Sequence, residues 1–423
     1  MANIKTLKPN GVRKFYFLEY YYIALKSVAE RNTESERLIY FKNMKNKFRL
    51  GESKYKILRF EKEGQEKREQ ISRYKYTFSQ VLDECKLYEF VFEKNNKLGL
   101  THDGEKCISL FDKHLSNNSE YKLFLLQRME KIFGAFHHLL EICYSNSFTK
   151  QILFFPIYSP LKLGFDRSKF RKNKDIVNYI IKLTDKIESD VAELLSKDVK
   201  LKDVMSNVIL KLINDGLIND NPLDAFDRLN YNIIVKRIRD FYLSSLLSNY
   251  GFPYSYDTFN VWTERGKKFG ILHATDFFPG INGRIVFPTS ILSKNSTTDD
   301  FNKVFEYFDR EKLFIHSPSW EKIEEKFVKA LIDSYFNIKR IRKTHFISLP
   351  DIKEKVCFIL RISAYDFDHF IKKTYDYSIQ GRLKVQISLE ADKLPEETTA
   401  MYLKREPIIV AGKQKNIIAI NFK

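Results

Sequence analysis

A chain of 423 residues with 43% hydrophobic and 15% aromatic content can bury several cores, which excludes a disordered tail and predicts two to four domains. Its 72 basic residues outweigh 54 acidic ones, a formal charge of +18 that favours a polyanionic partner. Cys85, Cys107, Cys143 and Cys357 are far apart, with no CxxC pair and no His at finger spacing, so neither structural zinc nor a disulfide framework is expected.

No run of about 18 apolar residues occurs, and the opening Met1-Ala2-Asn3-Ile4-Lys5 stretch lacks the apolar core of a secretion signal. A soluble, cytoplasmic chain with no membrane contact is therefore expected.

In chain order, residues 15–29 read as a core helix followed by a polar break at Asn32-Thr33-Glu34-Ser35. Between Lys42 and Lys75, Lys and Arg recur among Phe48, Tyr55, Phe60 and Tyr74. That mixture suits a phosphate-contacting strip over aromatics, or a solvated helical hairpin. Residues 77–85 then read as a helix, 88–93 as a strand, Lys94-Asn95-Asn96-Lys97 as a turn and 98–100 as a second strand. Thr101 caps the next helix, with Gly104 in a structural role. Lys94 and Lys97 are candidates for phosphate contact at the tip of this hairpin.

Residues 121–144 read as one long amphipathic helix. Within it Glu141 lies one turn on from His137, but the adjacent His137 and His138 point to different faces, so no metal site is assigned. Pro156, Pro160 and Gly164 mark a loop or linker, and Arg167, Lys169, Arg171, Lys172 and Lys174 form a basic cluster after it. Helices are expected over 176–195 and 201–217, the second ended by Asp215-Gly216, and Asn221-Pro222 is expected to start the next.

From Asp240 to Pro288 a helix, a Gly251 stop, a second helix over 259–268, a strand over 270–275 and a Pro279-Gly280 turn into 284–287 follow one another. Thr263, Arg265, Lys267 and Lys268 fall on the second helix and Arg284 beside the hairpin, where phosphates or base edges would be met. Replacing Arg265, Lys267 and Lys268 by Ala is then expected to weaken DNA binding without lowering the melting temperature. Trp262 is expected in the core. Towards the C-terminus Lys339, Arg340, Arg342 and Lys343 concentrate charge before a helix over 350–360 and a turn at Arg361-Ile362-Ser363. A helix over 364–375 and strands over 383–389, 407–411 and 417–420 complete the chain.

No Walker-type glycine loop, HExxH or GxSxG is present, and no cofactor or metal is expected. The acidic strand at 88–94 and the segment Glu390 to Lys393 leave a divergent, metal-dependent nuclease as the rival reading.

The stretch Leu98-Gly99-Leu100-Thr101-His102-Asp103-Gly104-Glu105 resembles the wing-to-helix junction of winged-helix DNA-binding proteins, and 76–111, 240–288 and 350–422 each share their element order. The resemblance implies a mainly α fold with small β-wings (α+β), as two or three winged-helix units joined by helical segments. Its expected divisions are 1–150, 151–235, 236–320 and 321–423. It implies binding of duplex DNA, with RNA an alternative, by a recognition or recruitment component that lacks catalysis and works with an enzymatic partner. Such chains look like DNA-binding accessories of bacterial restriction and phage-defence loci. A protein-interaction scaffold with incidental charge is the third reading, and the oligomeric state is left open.

Overall fold

The computed structural model describes residues 17–48, 66–95, 97–113, 119–144, 153–155, 170–191, 200–221, 223–224, 231–281, 283–289, 291–293, 301–309, 311–391 and 408–422. These residues form α1 (Glu19–Glu30), α2 (Glu34–Lys47), α3 (Glu66–Leu87), the hairpin β1 (Val91–Lys94) and β2 (Lys97–Leu100), then α4 (His102–Lys113), α5 (Ser119–Ile132) and α6 (Gly134–Tyr144). Next come β3 (Leu153–Phe155), α7 (Asn173–Val191), α8 (Leu201–Asn214), α9 (Tyr231–Asn249), α10 (Tyr256–Phe269), β4 (Leu272–Thr275) and β5 (Arg284–Pro288). The chain continues through β6 (Ile291–Ser293), β7 (Phe301–Asp309), β8 (Glu311–Pro318), α11 (Trp320–Arg342), β9 (Ile347–Ser348), α12 (Leu349–Leu360) and α13 (Ala364–Ile379). It ends with β10 (Val385–Glu390), β11 (Ile408–Val410), β12 (Lys413–Lys415) and β13 (Ile417–Phe422). The expected mainly helical α+β class, with small antiparallel sheets, is what these elements form. Among the described residues no helix is long and apolar enough to cross a membrane.

Two expectations about local structure are corrected. The helix anticipated over 121–144 is two helices, because it breaks at Phe133, just before Gly134, and a glycine weakens helix propagation. The strand anticipated from Tyr88 starts three residues later, since Tyr88, Glu89 and Phe90 form a turn with Glu89 at φ 59°.

The residues separate into two compact units, one of Met1–Gly134, Glu264–Ile271 and Thr289–Lys423, the other of Ala135–Thr263 and Leu272–Pro288. In the first unit, Thr33 caps α2 in a reciprocal capping box with Glu36, and α1 is buried almost all round through Tyr20, Tyr21, Ile23, Ala24 and Leu25. Rings fill this core: Tyr20 meets Phe41 at 5.6 Å, Phe41 meets Phe78 at 5.2 Å, and Tyr22 stacks on Phe111 at 4.0 Å.

Thr101 holds α4 against the turn that precedes β1. Its hydroxyl donates to the Glu89 carbonyl at 2.6 Å and accepts the Gly104 amide at 3.2 Å, one of the amides a helix start leaves unpaired. Thr101→Ala should therefore lower stability by about 1 kcal/mol in urea unfolding. An unchanged midpoint would show that the cap is dispensable.

The second unit carries the sheet β3-β5-β4, in which Leu153 pairs with Val286 and Ala274 with Val286 from the other side. Here Trp262 is fully buried and stacks on Phe136 at 4.7 Å.

The C-terminal part of the first unit builds a three-stranded sheet in the order β10-β13-β9. Ile387 pairs with Ile420 and Ile347 with Ile418. Strand β10 alternates buried and exposed, as one covered face requires. Ser348 caps α12 and Ser363 caps α13 in a second capping box with Asp366. Between those helices Arg361 takes a left-handed conformation, φ 52°, which turns the chain within three residues. Trp320, Phe327, Phe367 and Phe370 close the core beneath them.

Candidate nucleic-acid interface

The sequence candidates separate by exposure. Lys94 and Lys97 face each other across the tip of the β1–β2 hairpin, where Asn95 adopts φ 51°, and both are exposed. Arg171 and Lys172 are also exposed; their backbone amides donate to Asp175 at 2.8 and 2.9 Å and hold its carboxyl below the ordinary range. Arg167 and Lys169 lie outside the described residues.

The candidates from α10 and β5 are mostly interior, which corrects their assignment to a DNA-facing surface. Arg265 is 1% exposed and donates to Glu84 of α3 at 2.9 Å. The same carboxylate accepts the hydroxyls of Tyr21 at 2.6 Å and Tyr88 at 3.2 Å. Burial alone would lower the Arg265 pKa, but Glu84, Tyr21 and Tyr88 outweigh it and raise it. Burial also pushes both tyrosine hydroxyls well above their ordinary value, so they remain protonated donors. The group is a closed charge network, and no phosphate can reach it.

Thr263 is fully buried and bonds the Asn260 carbonyl at 3.1 Å. Arg284 is 5% exposed, 3.4 Å from both Asp276 and Thr263, on a strand whose residues are all buried. A solvent-facing wing cannot have that pattern, so neither Arg284 nor Thr263 lies on a DNA-facing surface as expected. Lys267 and Lys268 are half-buried, Lys268 lying 5.0 Å over the Phe17 ring.

At the end of α11, Arg340 and Lys343 are exposed, Lys339 lies 5.6 Å over the rings of Tyr335 and Phe336, and Arg342 pairs with Asp351 at 2.7 Å.

One surface was not singled out from sequence. In α13 the exposed positions are Tyr365, His369, Lys372, Asp376 and Ile379. Their spacing of four, three, four and three residues makes a single stripe along the helix. Beneath it Phe367, Phe370, Ile371 and Thr374 are buried, and Lys353 of α12 bonds Asp368 at 2.7 Å, fixing the two helices together. The signal in the sequence was the Ser363 cap followed by this polar periodicity. Beyond β10, the β11–β12 hairpin turns at Ala411 and Gly412, both with positive φ, and exposes Lys413.

No family model, no curated protein and no solved structure matches this chain.

Proposed function

We propose that the chain binds duplex DNA through a winged helix-turn-helix module running from α11 to β13. The observation that carries this reading is the element order α11, β9, α12, α13, β10, β11, β12, β13, with β10-β13-β9 side by side and β11-β12 as a separate hairpin. A helix pair joined by a three-residue turn, backed by such a sheet, presents its second helix outward. Under this reading α13 enters the major groove. Lys372 and His369 would donate to guanine, and Asp376 would accept from cytosine. Lys413 and the excess of Lys and Arg would supply phosphate contacts. Lys94 and Lys97, at the tip of the N-terminal hairpin, are proposed as a second phosphate-contacting wing. The chain would act without catalysis of its own, as a recognition or recruitment component for an enzymatic partner.

A labelled duplex titrated at rising salt tests the proposal. For about six phosphate contacts, affinity should fall on the order of a thousandfold between 50 and 200 mM salt. Replacing His369 and Lys372 by Ala should weaken duplex binding about tenfold. The same substitutions should leave stability within about 0.5 kcal/mol of the parent, since both are surface residues. A flat salt response, or unchanged affinity in the variant, would reject the module as a DNA reader. The second reading, a protein-docking face, draws on Tyr365 at 61% and Ile379 at 67% exposure in the same stripe. It takes precedence if duplex binding is absent.

A further inference from the structure

The end of α11 carries an aromatic and cationic surface separate from the α13 stripe. Phe336 stacks on Phe422 at 5.4 Å with the rings 7° from parallel. Tyr335 packs against Phe336 at 5.1 Å, and its hydroxyl donates to the His345 carbonyl at 2.7 Å. His345 in turn meets Phe346 at 5.6 Å, and Lys339 lies over Tyr335 and Phe336 while approaching the His345 ring at 3.3 Å. These contacts join the residues in one cluster, with Tyr335 buried at its centre.

Two rings of this cluster are open to solvent. Phe422 is 67% exposed and Phe346 45% exposed. With one ring face of Phe422 against Phe336, that exposure leaves its other face to solvent. Lys339 lies over two of the rings, the exposed Arg340 follows Phe336 by one helical turn, and the exposed Lys343 follows Arg340 by another. No Asp or Glu occurs in the sequence between Ser334 and Pro350, and Asp351 is paired with Arg342 at 2.7 Å. Cations at a helix C-terminus are favourable in themselves, so Arg340 and Lys343 alone would mean little. The helix dipole does not account for flat aromatic faces in water beside them.

We infer that this patch binds single-stranded nucleic acid, with bases stacking on Phe422 and Phe346 and phosphates meeting Lys339, Arg340 and Lys343. The charge selects a polyanion, and the open rings select one whose bases are unstacked and available, which excludes an intact duplex. An acidic peptide would satisfy the cations but not the ring faces. The inference stands independently of the duplex reading, since it uses none of the α13 stripe.

The test uses the full chain and a fluorescein-labelled oligothymidylate of about 12 nucleotides. The parent should bind it. Phe346→Ala with Phe422→Ala should weaken binding about tenfold or more, the loss expected when base stacking is removed. Phe422→Tyr, which keeps a ring, should bind like the parent. Arg340→Glu with Lys343→Glu should weaken binding and flatten its salt dependence, by a slope of about 0.7 for each lost phosphate contact. The His369 and Lys372 alanine variant should bind the oligonucleotide normally. If duplex binding fails while these results hold, the duplex proposal falls and this one stands. The inference is overturned if the parent ignores the oligonucleotide or if the two-Phe variant binds it normally. It is equally overturned if those substitutions abolish binding to phosphatidylserine vesicles or self-association while leaving oligonucleotide affinity unchanged.

Discussion

Arg265→Ala should destabilise the protein by about 3–5 kcal/mol, the range for removing one member of a buried ion pair. The substitution leaves the Glu84 carboxylate, which is 0% exposed, facing only the hydroxyls of Tyr21 and Tyr88. Most of the loss is the cost of that uncompensated charge, so removing the partner as well should restore much of it. Glu84→Gln combined with Arg265→Met should therefore unfold in urea at a higher midpoint than Arg265→Ala. Tyr21→Phe, which deletes a single hydroxyl donating to that carboxylate, should cost less, about 1.5–3 kcal/mol. A loss below about 1 kcal/mol for Arg265→Ala would mean that the network does not hold these elements. The outcome also decides between surface and core for Arg265, because a solvent-exposed arginine would leave stability within about 0.5 kcal/mol.

That misplacement has a physical origin in how charge is read along a sequence. Arg265 falls among Phe259, Trp262 and Phe269, which α10 buries, and Glu84 falls among Phe78, Val81 and Tyr88. Each is a charged residue at a position where helical periodicity calls for an apolar one. Two such residues of opposite sign, on helices far apart in sequence, can enter a core only as partners. The pairing is a tertiary fact, and local pattern cannot choose it over a basic helix face.

Arg284 was hidden for a similar reason. The strand arithmetic that found β4 and β5 does not say what covers them, and β3, which pairs with β5, comes from more than a hundred residues earlier. Local chemistry was far more legible. The Lys94 to Lys97 turn, the Thr101 cap, the Asp215-Gly216 stop and the three-residue turn at Arg361 all lie where turn and capping residues put them. The exposed stripe of α13 was equally legible in principle. Its mixed Tyr, His, Lys and Asp composition carries no charge signal, unlike the denser cations of α11.

Gly104→Ala separates two physical effects of opposite sign. In an ordinary helix interior the change would stabilise by about 1 kcal/mol, because alanine loses less backbone entropy on folding. Here an added Cβ would lie 2.2 Å from the carbonyl oxygen of Phe90. That carbonyl cannot retreat cheaply. It accepts the Thr101 amide at 3.0 Å, the Phe90 amide bonds the Cys85 carbonyl at 2.9 Å, and the Phe90 ring is fully buried and stacked on Phe124. Steric overlap with a pinned backbone should therefore prevail, for a net loss of about 3 kcal/mol in urea unfolding. Gly99→Ala provides the contrast, since the nearest atoms to its Cβ would be those of the Phe92 ring, at 2.5 Å, and that side chain is 49% exposed and able to swing away. It should change stability by less than about 1 kcal/mol. If Gly104→Ala matched or exceeded the parent's midpoint, α4 would not pack against the 88–90 turn this closely, and the hairpin carrying Lys94 and Lys97 would lose its fixed base.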